Sequence, residues 1–237
     1  SADFKLGSQI SCGSNIKVTV ASSGEGATLD GQGQTRLFYL EAGGLFSLSG
    51  GCSLTLRGLT LVNGRSAGSG GVVEARNAGD VEIIDSDVRD CSATYNGGVV
   101  AAASSGAVSI IGSTVSGCSA ADGGVVRAYD SGVVSISGSN VSGCSAGYWG
   151  GGVYAIGSGV VSISGSTVSG CSAGDNGGVV YAHDSESLSI AGVDFIDNRA
   201  GGSGSVLYLD KTHPSISAAS FTGNTAGDDN DGATIEA

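Results

Sequence analysis

The sequence predicts an all-β fold: a right-handed parallel β-helix, a solenoid of about eight coils built on a 26–27-residue repeat. Three observations predict it. A glycine-pair motif returns at a constant step along the chain. Each unit holds three short stretches rich in β-branched residues. Glycine supplies 44 of the 237 residues and proline one, which excludes collagen, while regularly placed Val, Ile and Leu argue against a disordered linker.

The motif begins as Gly70-Gly71-Val72-Val73-Glu74-Ala75 and recurs at Gly97, Gly123, Gly150 and Gly177. Degenerate copies follow at Gly204-Ser205-Val206-Leu207 and Asp231-Gly232-Ala233. The second position of each pair gives steps of 27, 26, 27, 27, 27 and 27 residues. Other columns keep this step: Ile83, Ile110, Ile136, Ile163 and Ile190, and likewise Val88, Val115, Val141 and Val168. The first stretch is Gly-Gly-Val-Val-x-Ala, the second Val-Ser-Ile-x-Gly-Ser, the third Thr-Val-Ser-Gly-Cys-Ser-Ala. The first two alternate apolar and polar residues with period two, as half-buried strands do. Helical spacing is missing, which excludes a leucine-rich repeat, and the unit is too short for a propeller blade. Three strands joined by tight turns describe one coil of a triangular solenoid. The expected division is an N-terminal cap with its opening coil over 1–49 and repeats over 50–237, one continuous domain.

Hydrophobic residues make up 40% of the chain, enough for a core, and charged residues 14%. The net charge of −12 and a pI near 4.2 repel phosphate backbones, so nucleic acid is not an expected partner. No apolar run is long enough for a spanning helix, and no membrane insertion is expected. The chain begins at Ser1 and reads as a processed or excised piece.

Six cysteines stand at Cys12, Cys52, Cys91, Cys118, Cys144 and Cys171. None forms a C-x-x-C pair, and His183 and His213 are far apart, so no metal or cofactor is expected. The even count favours an oxidising compartment, hence a secreted or cell-surface location. Cys91, Cys118, Cys144 and Cys171 occupy one position in four consecutive coils. Coils stacked about 4.8 Å apart fall inside the Cα range that a disulfide permits. The expected bridges are Cys91–Cys118 and Cys144–Cys171, with Cys12 and Cys52 tying the N-terminal segment to the first coils. The alternative is a column of reduced thiols packed as small hydrophobes. Asn140-Val141-Ser142 is a glycosylation sequon, making Asn140 a candidate acceptor.

Gly177-Gly178-Val179-Val180 resembles the GGA(I/L/V) signature of the chlamydial polymorphic outer-membrane-protein repeat. Phe195-Ile196-Asp197-Asn198 and Phe221-Thr222-Gly223-Asn224 match its FxxN signature. Ala27-Thr28-Leu29-Asp30-Gly31 looks like the first coil of many pectin-lyase-like β-helix proteins. The resemblance covers almost the whole chain and implies adhesion or surface display more often than catalysis. In four coils FxxN has become V-x-x-C, from Val88–Cys91 to Val168–Cys171, so a cysteine column replaces the family's asparagine column.

Candidate sites follow from the outward rows. The first strand projects Tyr154, Tyr181 and Tyr208, with Tyr129 two positions along its own strand and Trp149 in a nearby loop. Aromatic rings on a flat sheet can stack on sugar rings, making these five the candidate glycan platform. The plainer reading is that the rings pack on one another up a ladder. The second and third strands project Ser109, Ser135, Ser162 and Ser189, then Thr114, Asn140 and Thr167, then Ser116, Ser142 and Ser169. Such a hydroxyl array could order water, as an ice-binding face does, or be ordinary solvated sheet.

A lyase or hydrolase needs clustered carboxylates with a base or calcium. Between Gly97 and Asn176 the acids are Asp122, Asp130 and Asp175, all in turns, with Arg127 the sole base. His183-Asp184 are strand neighbours expected to face opposite ways. Asp228-Asp229-Asn230-Asp231 reads as a solvated acidic turn with at most weak calcium affinity. The favoured expectation is a non-catalytic extracellular module for adhesion, surface structure or glycan contact. Its partners would be glycans or other extracellular surface molecules, with self-association a further expectation. Ice binding and polysaccharide cleavage are the alternatives.

Overall fold

The computed structural model describes residues 2–12, 16–22, 26–41, 51–227 and 235–236. The chain is an all-β parallel solenoid of about eight coils, and the described residues contain no helix. Among the described residues, to which the strand counts below refer, successive coils pair in register through four stacked sheets. The Val-x-Ala sheet has nine strands, including Val100–Ala103, Val126–Tyr129, Val153–Ile156, Val180–His183 and Leu207–Asp210. The Val-Ser-Ile sheet has eight, including Val108–Ile111 and Val134–Ser137. The Thr-Val-Ser sheet has nine, including Thr114–Ser116 and Asn140–Ser142. All the strand pairs among the described residues are parallel; Val81, Val108, Val134, Val161 and Leu188 stand in one line.

The fourth sheet departs from the triangular expectation. Two-residue strands such as Ser119–Ala120, Ser145–Ala146 and Ser172–Ala173 stack into a ladder of seven among the described residues. The stretch Thr-Val-Ser-Gly-Cys-Ser-Ala is therefore two strands around a bend. Its glycine makes the bend: Gly117, Gly143 and Gly170 have φ near +60°, a conformation costly for side chains with a Cβ.

Period-two alternation puts one side of each strand inside. The columns Val73/Val100/Val126/Val153/Val180 and Ile83/Ile110/Ile136/Ile163/Ile190 are all buried. Each such side chain contributes about 1.5–3 kcal/mol by leaving water. The first valine of each Val-Val pair is buried as well: Val72, Val99, Val125 and Val179 fill the corner ahead of the strand.

The corners carry polar ladders that continue from coil to coil. Ser86, Ser113, Ser139 and Ser166 are buried. Each accepts an N–H from the preceding coil on Oγ: Ser86 N to Ser113 at 3.1 Å, Ser113 N to Ser139 at 3.1 Å, Ser139 N to Ser166 at 3.1 Å. The same hydroxyls donate to carbonyls two residues back, so neither partner is stranded. A second column runs through Ser105, Ser131, Ser158, Ser185 and Thr212.

The third polar column contains the cysteines, and it departs from the expected bridges. Cys12 and Cys52 form a disulfide across 40 residues of sequence, joining the first coil to a later one. Cys91, Cys118, Cys144 and Cys171 are buried free thiols, so Cys91–Cys118 and Cys144–Cys171 do not form. In-register parallel coils hold the Cα–Cβ vectors parallel, so the Cβ atoms stay about 4.8 Å apart. A disulfide needs them at about 3.5–4.5 Å. Each thiol instead donates to the carbonyl two residues back, at 3.3 Å to Arg89 O for Cys91 and 3.4 Å to Ser116 O for Cys118. The neighbouring Cys144, joined by Cys91 at Cys118, and then burial push the Cys118 and Cys171 thiols well above their ordinary range. Alkylation of protein denatured without reductant is expected to label four cysteines by mass spectrometry, and six after reduction. Two labels or none before reduction would restore the bridged column.

From Asn198 onward the column is asparagine. Asn198 is fully buried, and its Oδ1 accepts Cys171 N–H at 2.9 Å. Its Nδ2 donates to Val168 O at 2.9 Å and to Asn224 Oδ1 at 3.0 Å. Phe195 stacks on Phe221 beside it, with centroids 5.2 Å apart.

Candidate functional site

The outward face of the Val-x-Ala sheet changes character along the rod. Register aligns Tyr39, Glu74, Ala101, Arg127, Tyr154, Tyr181 and Tyr208 in one row. Arg76, Ala103, Tyr129, Ile156, His183 and Asp210 form the neighbouring row. Three consecutive tyrosines arise because the repeat places one variable outward position between the inward Val and Ala of every coil.

The rings touch. Tyr181 and Tyr208 stack with centroids 5.0 Å apart, and Tyr154 meets Tyr181 at 5.2 Å. Trp149 lies in the turn before Gly150 and folds back over the row, 5.7 Å from Tyr154 and 5.9 Å from Tyr181. Tyr148 extends the group, 5.9 Å from Trp149 and 55% exposed. The row thus packs as a ladder, and Trp149 covers Tyr154, which is only 7% exposed. The outer surface belongs to Tyr148, Trp149, Tyr181 and Tyr208. Burial, then the Asp122 charge, pushes the Tyr154 phenol up to about 12. Burial, then Tyr208, raises Tyr181 as well.

Tyr129 stands apart. It occupies the neighbouring row, and its ring lies under the Arg127 guanidinium, 5.0 Å from Cζ to centroid. Asp122, in the turn before Gly123, sits close to Arg127, and both Arg127 and the backbone N–H of Trp149 favour its charged form. Burial raises the Asp122 carboxyl against the pull of Arg127. Asp122 Oδ1 and Arg127 Nε are both buried without a hydrogen-bond partner.

Beyond Arg127 the face dips. Ala101 and Ala103 leave a cavity of about 190 Å³ between the Glu74/Arg76 strand and Arg127. Glu74 is buried and ion-paired to both Arg36 and Arg76. The sequence shows this notch as two alanines at outward positions where other coils carry large side chains.

The hydroxyl rows are regular. Ser109, Ser135, Ser162 and Ser189 align in register, as do Thr114, Asn140 and Thr167. Asn140 is exposed at mid-row. His183 and Asp184, expected on opposite faces, are in contact, Nε2 to Oδ2 at 2.9 Å. Asp184 lies past the strand end with φ +46°, which swings its carboxylate back. His183 Nδ1 meets Asp210 Oδ2 at 2.7 Å, so both ring nitrogens are engaged. No group of three or more His, Cys, Asp or Glu among the described residues is placed to hold a metal. Asp228–Asp231 lies outside the described residues. No family model, curated protein or solved structure matches this chain.

Proposed function

We propose that the chain is a non-catalytic extracellular solenoid module, of adhesive or surface type, that contacts glycans through its aromatic face. The observation that carries this is the contiguous group of Tyr148, Trp149, Tyr154, Tyr181 and Tyr208, with neighbouring centroids 5.0–5.9 Å apart. Its open side offers rings with hydroxyl and indole N–H edges, the chemistry that stacks on pyranose faces. The Cys12–Cys52 bridge supports an oxidising, extracellular location. The Phe195/Phe221 stack above the Asn198/Asn224 ladder supports kinship with the polymorphic outer-membrane-protein repeat within the right-handed pectin-lyase-like β-helices. Calorimetry with neutral cello- and xylo-oligosaccharides tests the reading. The triple variant Trp149→Ala/Tyr181→Ala/Tyr208→Ala is expected to lose at least about tenfold in affinity, since each ring contact contributes about 0.5–1.5 kcal/mol. Its circular dichroism should not change. Unaltered affinity in the triple variant rejects the platform.

The in-register hydroxyl rows favour one alternative, ice binding through the Thr-Val-Ser sheet. Inhibition of ice recrystallisation, removed by Thr114→Leu/Thr167→Leu but untouched by the aromatic triple variant, would replace the glycan reading.

A further inference from the structure

The notch at Ala101 and Ala103 adjoins the aromatic face, and its lining differs from the rest of the molecule. The chain carries a net charge of −12 and only ten Lys and Arg residues. Two of those ten, Arg76 and Arg127, line this one depression, and a third, Arg36, pairs with its Glu74. Against these two guanidinium groups the lining sets one carboxylate, Glu74.

The carboxylates are also less available than the cations. Glu74 is buried and held by Arg36 and by Arg76, whose Nε donates to it at 2.8 Å. Arg127 has no carboxylate partner within ion-pair distance among the described residues. Its Nε makes no hydrogen bond, and the ring of Tyr129 is what supports its guanidinium. A guanidinium presents five N–H donors and no acceptor, so a planar or tetrahedral oxyanion is its natural complement. The rim adds neutral polar groups at Ser69, Asn77, Asn96 and Ser104. Asn96 is held by its bond to Ser69 Oγ at 3.0 Å, leaving a fixed amide at the edge. A cationic ligand would find no unpaired carboxylate in the lining.

We propose that this notch seats a negatively charged oxyanion, sulfate or carboxylate, carried by the saccharide that lies on the aromatic face. The proposal rests on the glycan reading and deepens it. Arg127 occupies the row position next to Tyr154, one coil from the notch alanines on one side and two coils from Tyr181, by way of Tyr154, on the other. A chain stacked on Trp149, Tyr181 and Tyr208 would therefore run over Arg127 into the notch. The aromatic rings hold the sugar faces, and the arginine selects the charged substituent.

The experiment compares three forms of one oligosaccharide, neutral, sulfated and carboxylated, at matched ionic strength. Wild type is expected to bind a charged form at least about tenfold more tightly than the neutral form, the scale of one charge-assisted hydrogen bond. The better charged form identifies which oxyanion fits. Arg127→Gln should abolish that preference, so that charged and neutral forms bind alike, and Ala101→Tyr, which fills the notch, should do the same. Thermal melts with sodium sulfate, against sodium chloride at equal ionic strength, supply a readout independent of sugars. Sulfate should raise the wild-type melting temperature saturably and the Arg127→Gln melting temperature only by the general salt effect. Equal charge preference in wild type and Arg127→Gln overturns the notch proposal while leaving the aromatic platform standing. An identical sulfate response in both proteins overturns it as well. A sulfate response without any saccharide binding rejects the glycan reading and retains the oxyanion site.

Discussion

Replacing Asn198 with Leu is expected to destabilise the rod by about 3 kcal/mol or more, although the volume barely changes. The side chain is fully buried and makes three hydrogen bonds: it accepts from Cys171 N and donates to Val168 O and Asn224 Oδ1. Leucine strands Cys171 N–H in the core, and an unsatisfied buried donor costs about 1–3 kcal/mol by itself. It also removes a donor from Val168 O and from Asn224. Asn198→Cys should cost much less, because cysteine occupies this corner in four preceding coils and packs there against its own strand carbonyl. Urea unfolding followed by far-ultraviolet circular dichroism measures both variants. Equal stability of the leucine and cysteine proteins would show that packing, not hydrogen bonding, holds this corner.

Gly124→Ala is expected to be comparably severe, at about 3 kcal/mol, the upper range for overpacking. A Cβ there would collide with Gly151 O of the next coil and lie 2.7 Å from Ser145 O and 2.8 Å from Ser145 C. All three are backbone atoms, so no side chain can swing aside. The coils would have to part at that corner. Gly143 offers the control. It has φ +58° but open space where a Cβ would go. Gly143→Ala pays only the left-handed backbone penalty, about 1–2 kcal/mol. Thermal melts of the two variants separate steric exclusion from backbone strain, and a Gly124→Ala protein no less stable than Gly143→Ala would remove the close-approach argument.

The repeat step made the solenoid legible, because residues at equal phase in a stacked coil share one environment. Val126 and Ile136 are buried for the same reason that Val100 and Ile110 are, and no tertiary knowledge was needed to see it. The fourth side was harder to read. A glycine inside a Thr-Val-Ser-Gly-Cys run does not say whether the strand bulges or turns. The serine corners were hidden because Ser113 and Ser139 look like solvated turn residues. Only the next coil reveals that their hydroxyls accept buried N–H groups. The cysteine column was legible as a column but not as a bonding state, which depends on the direction of Cβ and not on Cα spacing. At the candidate site, the row Tyr154, Tyr181 and Tyr208 followed from register alone. The folding of Trp149 over Tyr154 did not, since a turn's path is not periodic. Tyr129 sits one row across, where Arg127 claims its ring.

The corner ladders have a consequence for length. In each one a coil's donors are satisfied by acceptors of its neighbour, so Ser113 needs Ser139 and Asn198 needs Asn224, but no coil needs any particular total. A duplication or loss of one 27-residue unit, cut between equivalent corners, would leave every surviving ladder closed. The gene can therefore lengthen or shorten the molecule in steps of about 4.8 Å without redesigning a core. The aromatic patch, confined to a few adjacent coils, becomes a mark on a ruler, and its distance from either end is set by counting repeats.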